Sequence, residues 1–286
     1  MDTNPTRIAL LGTGLLGSGM VRRFRTQGLE VTVWNRTAAK ARALEAEGAR
    51  AAASPAEAVR DAGRVHIVLS EDAVVDAVLE QILPALAADA LIVDHSTTLP
   101  AATQARAERL SARGVRFLHA PVFMSPQMAA DGTGVMIVSG PRPEYDAARR
   151  DLDAMTGDAW YVGERPDLAA AYKLFGNLML FAVNGGLADI FTIARANGID
   201  PLQSLEVFDH FKLMGGIPMR GRRMASGDTA PASFELTMAR KDVRLMTEAA
   251  RGGPLLILPT IARRMDEVIA EGRGDHDLAA LGVAKP

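Results

Sequence analysis

The stretch that decides the fold is Arg7-Ile8-Ala9-Leu10-Leu11-Gly12-Thr13-Gly14-Leu15-Leu16-Gly17. A short apolar run passes directly into a G-x-G-x-x-G loop, and a helical pattern begins inside the loop. Each glycine answers a separate demand: Gly12 permits the tight turn, Gly14 lets the backbone approach a pyrophosphate, and Gly17 lets helix and strand pack closely. The helix N-terminus adds unsatisfied N–H groups and a positive dipole end. The expected ligand is a dinucleotide held by Gly12, Thr13, Gly14, Leu15, Leu16 and Gly17. A glycine-rich turn without a nucleotide is the bland alternative. The position of the loop at the first strand–helix junction argues against it.

Outward from the loop, short runs rich in Val, Ile and Leu at 7–11, 30–34, 65–70, 91–94, 116–120 and 134–139 alternate with helical stretches such as 37–47 and 100–113. That alternation predicts an α/β Rossmann domain, a mostly parallel sheet with helices on both faces. After residue 163 the pattern changes to helices alone: one long segment over 167–196, then stretches near 201–210, 236–251 and 259–271. The expected organisation is a dinucleotide-binding domain over 1–164 and an all-α domain over 165–286, linked by a long interdomain helix.

Ligands of such sheets bind beyond the carboxyl ends of the strands. The second strand ends in Asn35-Arg36-Thr37, where an NAD enzyme usually places an acid for the ribose 2′-hydroxyl. A guanidinium instead pairs with a 2′-phosphate, so the expected cofactor is NADP(H). The competing reading of Arg36 is a solvated loop residue. Leu69 and Ser70 end the third of these strands. Ser96 and Thr97 end the next, and either bond the nicotinamide ribose or cap the helix near Pro100.

The long helix is apolar nearly all round, which predicts burial on most sides. Lys173, Asn177 and Asn184, separated by four and seven residues, form one polar stripe. A buried lysine is costly unless paired or neutral. One reading is a proton donor and acceptor for a carbinol oxygen, with a pKa lowered toward the working pH. The other is a lysine that snorkels to solvent.

Composition removes other classes. The 286 residues suffice for two cores, and the net charge of −2 gives no basic excess for nucleic acid or an anionic membrane. Arg220, Arg222 and Arg223 with Lys212 form a local basic cluster, read as a solvated surface or a loop reaching an active site. There is no cysteine, hence no disulfide, thiolate metal site or cysteine nucleophile. The five histidines show no metal-ligand spacing, so no metal is expected. The opening residues lack a signal-peptide core, and the apolar run 174–183 is interrupted by Gly176 and Asn177 and too short for a bilayer. A soluble, cytoplasmic protein without a membrane span is expected.

These motifs resemble the β-hydroxyacid dehydrogenase family, which includes 3-hydroxyisobutyrate dehydrogenase, the glyoxylate/succinic semialdehyde reductases and, more distantly, 6-phosphogluconate dehydrogenase. The resemblance runs over nearly the whole chain. It rests on Gly12 to Met20, Asn35-Arg36-Thr37, Asp94 with Ser96, Thr97 and Pro100, Lys173 with Asn177, Phe234 with Lys241-Asp242, and Gly272 to Asp277. The resemblance implies Lys173 as general acid/base, Asn177 as a substrate-orienting group, and Phe234 and Lys241 near the cofactor. It also implies a homodimer acting on a small carbonyl or alcohol. Two departures concern the substrate. Phe123-Met124-Ser125 stands where the family has Ser-Gly-Gly for a carboxylate, implying a less polar substrate end. Pro166-Asp167-Leu168 replaces the family's Gly-Xaa-Gly before the lysine. Competing functions are imine reduction, whose relatives generally replace the lysine, and an inactive NADP-binding sensor or scaffold.

Overall fold

The computed structural model describes residues 7–283; the expectation for the opening segment lies largely outside them. The chain divides into two compact units, residues 1–177 and 178–286. The division falls within the long helix, whereas the sequence pattern puts a boundary ahead of it.

The first unit begins with β1 (Arg7–Leu11), α1 (Leu15–Thr26), β2 (Glu30–Trp34), α2 (Ala38–Arg42), β3 (Arg50–Ala51), α3 (Pro55–Val59) and β4 (Arg64–Ile67). It continues with α4 (Asp72–Ile82), β5 (Leu91–Asp94), α5 (Pro100–Ala112), β6 (Arg116–His119), β7 (Val122–Phe123), α6 (Pro126–Asp131), β8 (Val135–Ser139), α7 (Arg142–Thr156) and β9 (Ala159–Gly163). The sheet has nine strands in the order β3-β2-β1-β4-β5-β6-β8-β7, with β9 paired to β8. The strands from β3 to β6 along this path are parallel, and β8 runs antiparallel to β6 and β7.

A strand covered on both faces carries apolar side chains at every position, and alternate ones enter opposite layers. In β1, Ile8 and Leu10 join Met20, Val21 and Phe24 of α1 in one core. Ala9 and Leu11 join Val75 and Leu79 of α4 in the other. The strand order reverses at β1 and β4, so the loops leaving β1, β2, β4 and β5 open on one edge at the switch point, where such folds bind ligands. The helical stretch predicted over 37–47 is split: α2 gives way to a 3₁₀ turn over Ala43–Glu47.

The long helix is α8 (Asp167–Ala196). Its first turn is pinned by Ser139, whose hydroxyl donates to the Pro166 carbonyl and accepts from the Ala169 amide. The expected burial of this helix is not found. Ala169 and Ala170 are buried, but Phe175, Leu178 and Phe181 are each more than 60% exposed in the single chain. Hydropathy records that a face is apolar, not what covers it. Gly176 and Asn177 do not interrupt the helix either. Among the described residues, α8 alone is long and apolar enough, by length and composition, to cross a membrane.

The second unit holds α9 (Val207–His210), α10 (Ile217–Ser226), α11 (Leu236–Ala249) and α12 (Leu258–Val268), with no strand among its described residues. Leu236, Ala239 and Val243 of α11 pack on Leu258, Met265 and Val268 of α12. Buried Asp189 accepts from the Ile257 and Leu258 amides and so caps α12. Asp277 ties the tail to the segment before α11: its carboxylate accepts from the Ser233 and Phe234 amides, the Ser233 hydroxyl, the Ala279 amide and Arg223. Burial works to raise its pKa, but these donors outweigh it and hold the carboxyl well below the usual range.

Candidate active site

The glycine loop has the geometry that its sequence demands. Gly12 sits at φ +107°, and a Cβ there would collide with the Val68 carbonyl. A Cβ at Gly17 would strike the Gly12 carbonyl, so the close approach of α1 to the loop needs that glycine. At Gly14 a Cβ would meet nothing within 4 Å. Its backbone therefore lies open on a cavity of about 720 Å³. Gly14 is the N-cap of α1 and no side chain caps that helix, so its first amides are free for an anion. These features fit a dinucleotide pyrophosphate.

Leu15, Leu16, Leu69 and Ser70 also line this cavity, as do Asn35, Arg36 and Thr37 at its far end. Asn35 acts on the loop itself: its carbonyl oxygen accepts from the Thr13 amide at 3.1 Å, and its amide donates to the Thr37 carbonyl. Arg36 and Thr37 are exposed. Lys40, in the first turn of α2, lines the same end and was missed in the sequence. The four-residue spacing from Arg36 was the available signal. Among the described residues no carboxylate lines the cavity, so two cations meet whatever occupies that end.

The open question over Ser96 and Thr97 resolves into separate roles. Neither caps α5, whose N-cap is Leu99. Ser96 is buried: its hydroxyl accepts from the Leu69 amide at 2.9 Å and its amide donates to Asp94. It thereby joins the loops after β4 and β5. Thr97 is exposed at the strand end. Beneath these loops lies a buried charge cluster that the sequence did not reveal. Arg106 is 0% exposed and bonds Asp72 at 2.8 Å and Asp76 at 2.7 Å, with Asp94 at 3.8 Å. Asp72 in turn accepts from the Leu99 amide. One guanidinium thus holds both cofactor-facing loops to α5.

Lys173 is half-buried on α8, and Asn177 follows one turn later on the same face. Burial pushes the lysine pKa down, with no charged neighbour contributing to the shift. Its Nζ lies over the ring of Phe123, 4.1 Å from the centroid. Phe123 ends β7 and pairs with Val135; Met124 follows, partly buried. Ser125 is exposed and serves as the N-cap of α6, its hydroxyl accepting from the Met128 amide at 3.2 Å. Phe123, Met124, Lys173 and Asn177 all belong to the first unit. Phe234 and Lys241 belong to the second, where the Phe234 amide bonds Asp277 and Lys241 pairs with Asp242 at 3.0 Å.

Residues 7–163 match the family described as the NAD binding domain of 6-phosphogluconate dehydrogenase. The chain is 31% identical to the uncharacterized oxidoreductase YfjR of Bacillus subtilis, over 96% of this chain and 98% of that protein. It is 30% identical to the cytokine-like nuclear factor N-PAC of Homo sapiens, over 96% of this chain but only 50% of that protein. It is also 28% identical to glyoxylate/succinic semialdehyde reductase 2, chloroplastic, of Arabidopsis thaliana, over 83% of this chain and 67% of that protein. Among solved structures, a reductive aminase from Aspergillus terreus in complex with NADPH and ethyl levulinate is 25% identical. It matches with a TM-score of 0.88, over 97% of this chain and 98% of that one.

Proposed function

Because the chain belongs to the β-hydroxyacid dehydrogenase family, with an NAD-binding domain of the 6-phosphogluconate dehydrogenase type, we propose that it is an NADP(H)-dependent oxidoreductase acting at the carbonyl or alcohol carbon of a small molecule. The observation that carries this reading is Lys173: a half-buried ammonium with its pKa depressed by burial and no carboxylate partner, one helical turn from Asn177. An acid/base near its working pH is what carbonyl reduction and alcohol oxidation require. Bound nicotinamide supplies or accepts the hydride. Lys173 gives its proton to the carbonyl oxygen in reduction and takes it back in oxidation, while the Asn177 amide orients that oxygen.

Four further features support the details. Arg36 and Lys40 at the ribose end, with no carboxylate beside them, favour the 2′-phosphate of NADP(H). Phe234 and Lys241 join the cofactor partners by resemblance. Phe123 and Met124, in place of a small polar cradle, favour a carbonyl compound less polar than a short hydroxyacid. The exposed apolar face of α8, with Leu178 69% and Phe181 67% exposed, is the surface expected to close a homodimer. No nucleic acid or membrane partner is proposed, and the cysteine-free composition suits a cytoplasmic location.

The test is NADPH oxidation against a panel of aldehydes, ketones, short hydroxyacid-derived carbonyls and imines. Lys173→Ala is expected to lower kcat for a carbonyl substrate by about 10²–10⁴-fold while leaving NADPH binding intact. Full activity in that variant would refute the assignment. The likeness to a reductive aminase supports imine reduction as a second reading. Turnover of imines alone, insensitive to Lys173→Ala, would establish it in place of the first. NADPH binding without turnover of any panel member would instead favour a sensor.

A further inference from the structure

The ring of Phe123 touches two positions of α8 that lie three residues apart and therefore on one face. Its face carries the Lys173 Nζ at 4.1 Å. Its tip occupies the notch left by Gly176, where a Cβ would collide with the ring's ζ and ε carbons. The backbone that presents the ring is equally constrained. β7 pairs with β8, and Gly134 (φ +107°) lies against the Phe123 carbonyl and the Met124 Cβ, both within about 3 Å of where its own Cβ would stand. Strand, notch and helix together leave the ring one position.

Nothing else holds the ammonium. Among the described residues Lys173 makes no hydrogen bond or ion pair, and the ring contact is its one polar engagement. An aromatic face attracts a cation more strongly as the pair loses water, and this lysine is half-buried. A freely rotating lysine would lose four torsions' worth of freedom on meeting a substrate oxygen. A lysine already seated on a ring would lose fewer.

We propose that Phe123 is the positioning residue of Lys173: its ring, locked in the Gly176 notch, seats the ammonium in a fixed place and keeps it charged. This rests on the reading of Lys173 as the proton donor for its consequence in catalysis, but the seat itself can be tested without turnover. The ring opposes the burial that depresses the lysine pKa, so its removal leaves burial unopposed.

Lys173 ionisation is read by pH-dependent acetylation of the intact protein, followed by peptide mass spectrometry, in wild type, Phe123→Leu, Phe123→Tyr and Gly176→Ala. Phe123→Leu keeps most of the volume and removes the π face. It is expected to move the midpoint of Lys173 labelling about 0.5–1 pH unit lower, the loss of a partly buried cation–π contact. Phe123→Tyr, whose added hydroxyl on Cζ has no room in the Gly176 notch, is expected to displace the ring and move the midpoint in the same direction. Gly176→Ala, which displaces the ring from the helix side, is expected to follow Phe123→Leu. In carbonyl reduction, the alkaline limb of the pH–rate profile should move with the labelling midpoint, with kcat falling several-fold and KM for NADPH unchanged. An unchanged labelling midpoint in folded Phe123→Leu and Gly176→Ala would overturn the proposal, even if Lys173→Ala were inactive. A moved midpoint together with an active Lys173→Ala would uphold the seat and defeat only the catalytic reading.

Discussion

Mild acid should destabilise the dinucleotide-binding unit, and the reason lies in two stacked histidines beneath the cofactor-facing loops. His66 of β4 and His95 after β5 are fully buried, with rings 6° from parallel and centroids 5.2 Å apart. The His95 Nδ1 lies 2.7 Å from the Ala120 carbonyl, which can only accept, so Nδ1 carries the proton and Nε2 does not. His66 Nδ1 then donates to His95 Nε2 at 2.8 Å, leaving His66 Nε2 without a partner. A further proton meets either another ring N–H or no acceptor at all. Burial accordingly pushes the His95 pKa down to about 4 and that of His66 well below its ordinary 6.5. The unfolded chain binds protons near pH 6.5 and the folded chain does not until about pH 4, so stability is complete above 6.5 and lost as pH falls through that window. For His95 alone, integration from pH 7.5 to 4.5 gives a loss of about 2.5 kcal/mol, and His66 adds to it with the same sign. Carboxylates with depressed pKa values, such as Asp94, contribute at lower pH. The assay is urea unfolding followed by tryptophan fluorescence at the two pH values. The only two tryptophans, Trp34 and Trp160, both lie in the first unit, so the signal reports on the unit that holds the histidines. His66→Phe keeps a ring against Phe24, lowers stability at pH 7.5 by removing the donor to His95, and should flatten the pH dependence. Equal wild-type stability at pH 7.5 and 4.5 would refute the reasoning.

Two other expectations follow from single residues. Arg36→Ala should weaken NADPH binding about 10–100-fold, the worth of a charged hydrogen bond, and leave NADH nearly unchanged; isothermal titration with both cofactors measures the difference, and equal losses would remove the 2′-phosphate assignment. Arg106→Met should destabilise the first unit by about 3–5 kcal/mol, because it leaves Asp72 and the buried Asp94 facing an apolar side chain, with Asp76 keeping Arg109 alone. Denaturant unfolding checks this, and a loss below about 1 kcal/mol would show that the carboxylates find other partners.

Much of this molecule is legible in its chain of residues alone. The glycine loop after β1 determined the cofactor class, because a turn at φ +107° beside a carbonyl, with a helix packed on the next one, admits no side chain at residues 12 and 17. Six of the seven longer strands and α8 were legible from their periods, which are properties of consecutive residues; β9 (Ala159–Gly163) was not among the runs read. β3 and β7 were not, since two residues carry no period. Asn35, read as a cofactor contact, lines the cavity and also braces the loop through Thr13, which its spacing did not reveal. Lys173 was visible as an anomaly in an apolar helix, but its neighbour was not: Phe123, fifty residues earlier, is placed over it by a strand pairing and a glycine notch. Arg106 with its three aspartates and the His66–His95 pair are likewise joined only by the sheet. The exposure of α8 could not be read from hydropathy, which scores a residue without its surroundings. Local patterns survive in sequence because they depend on the next few residues. Which distant residues share a site depends on how strands pair and layers close, and no short window of the chain records that.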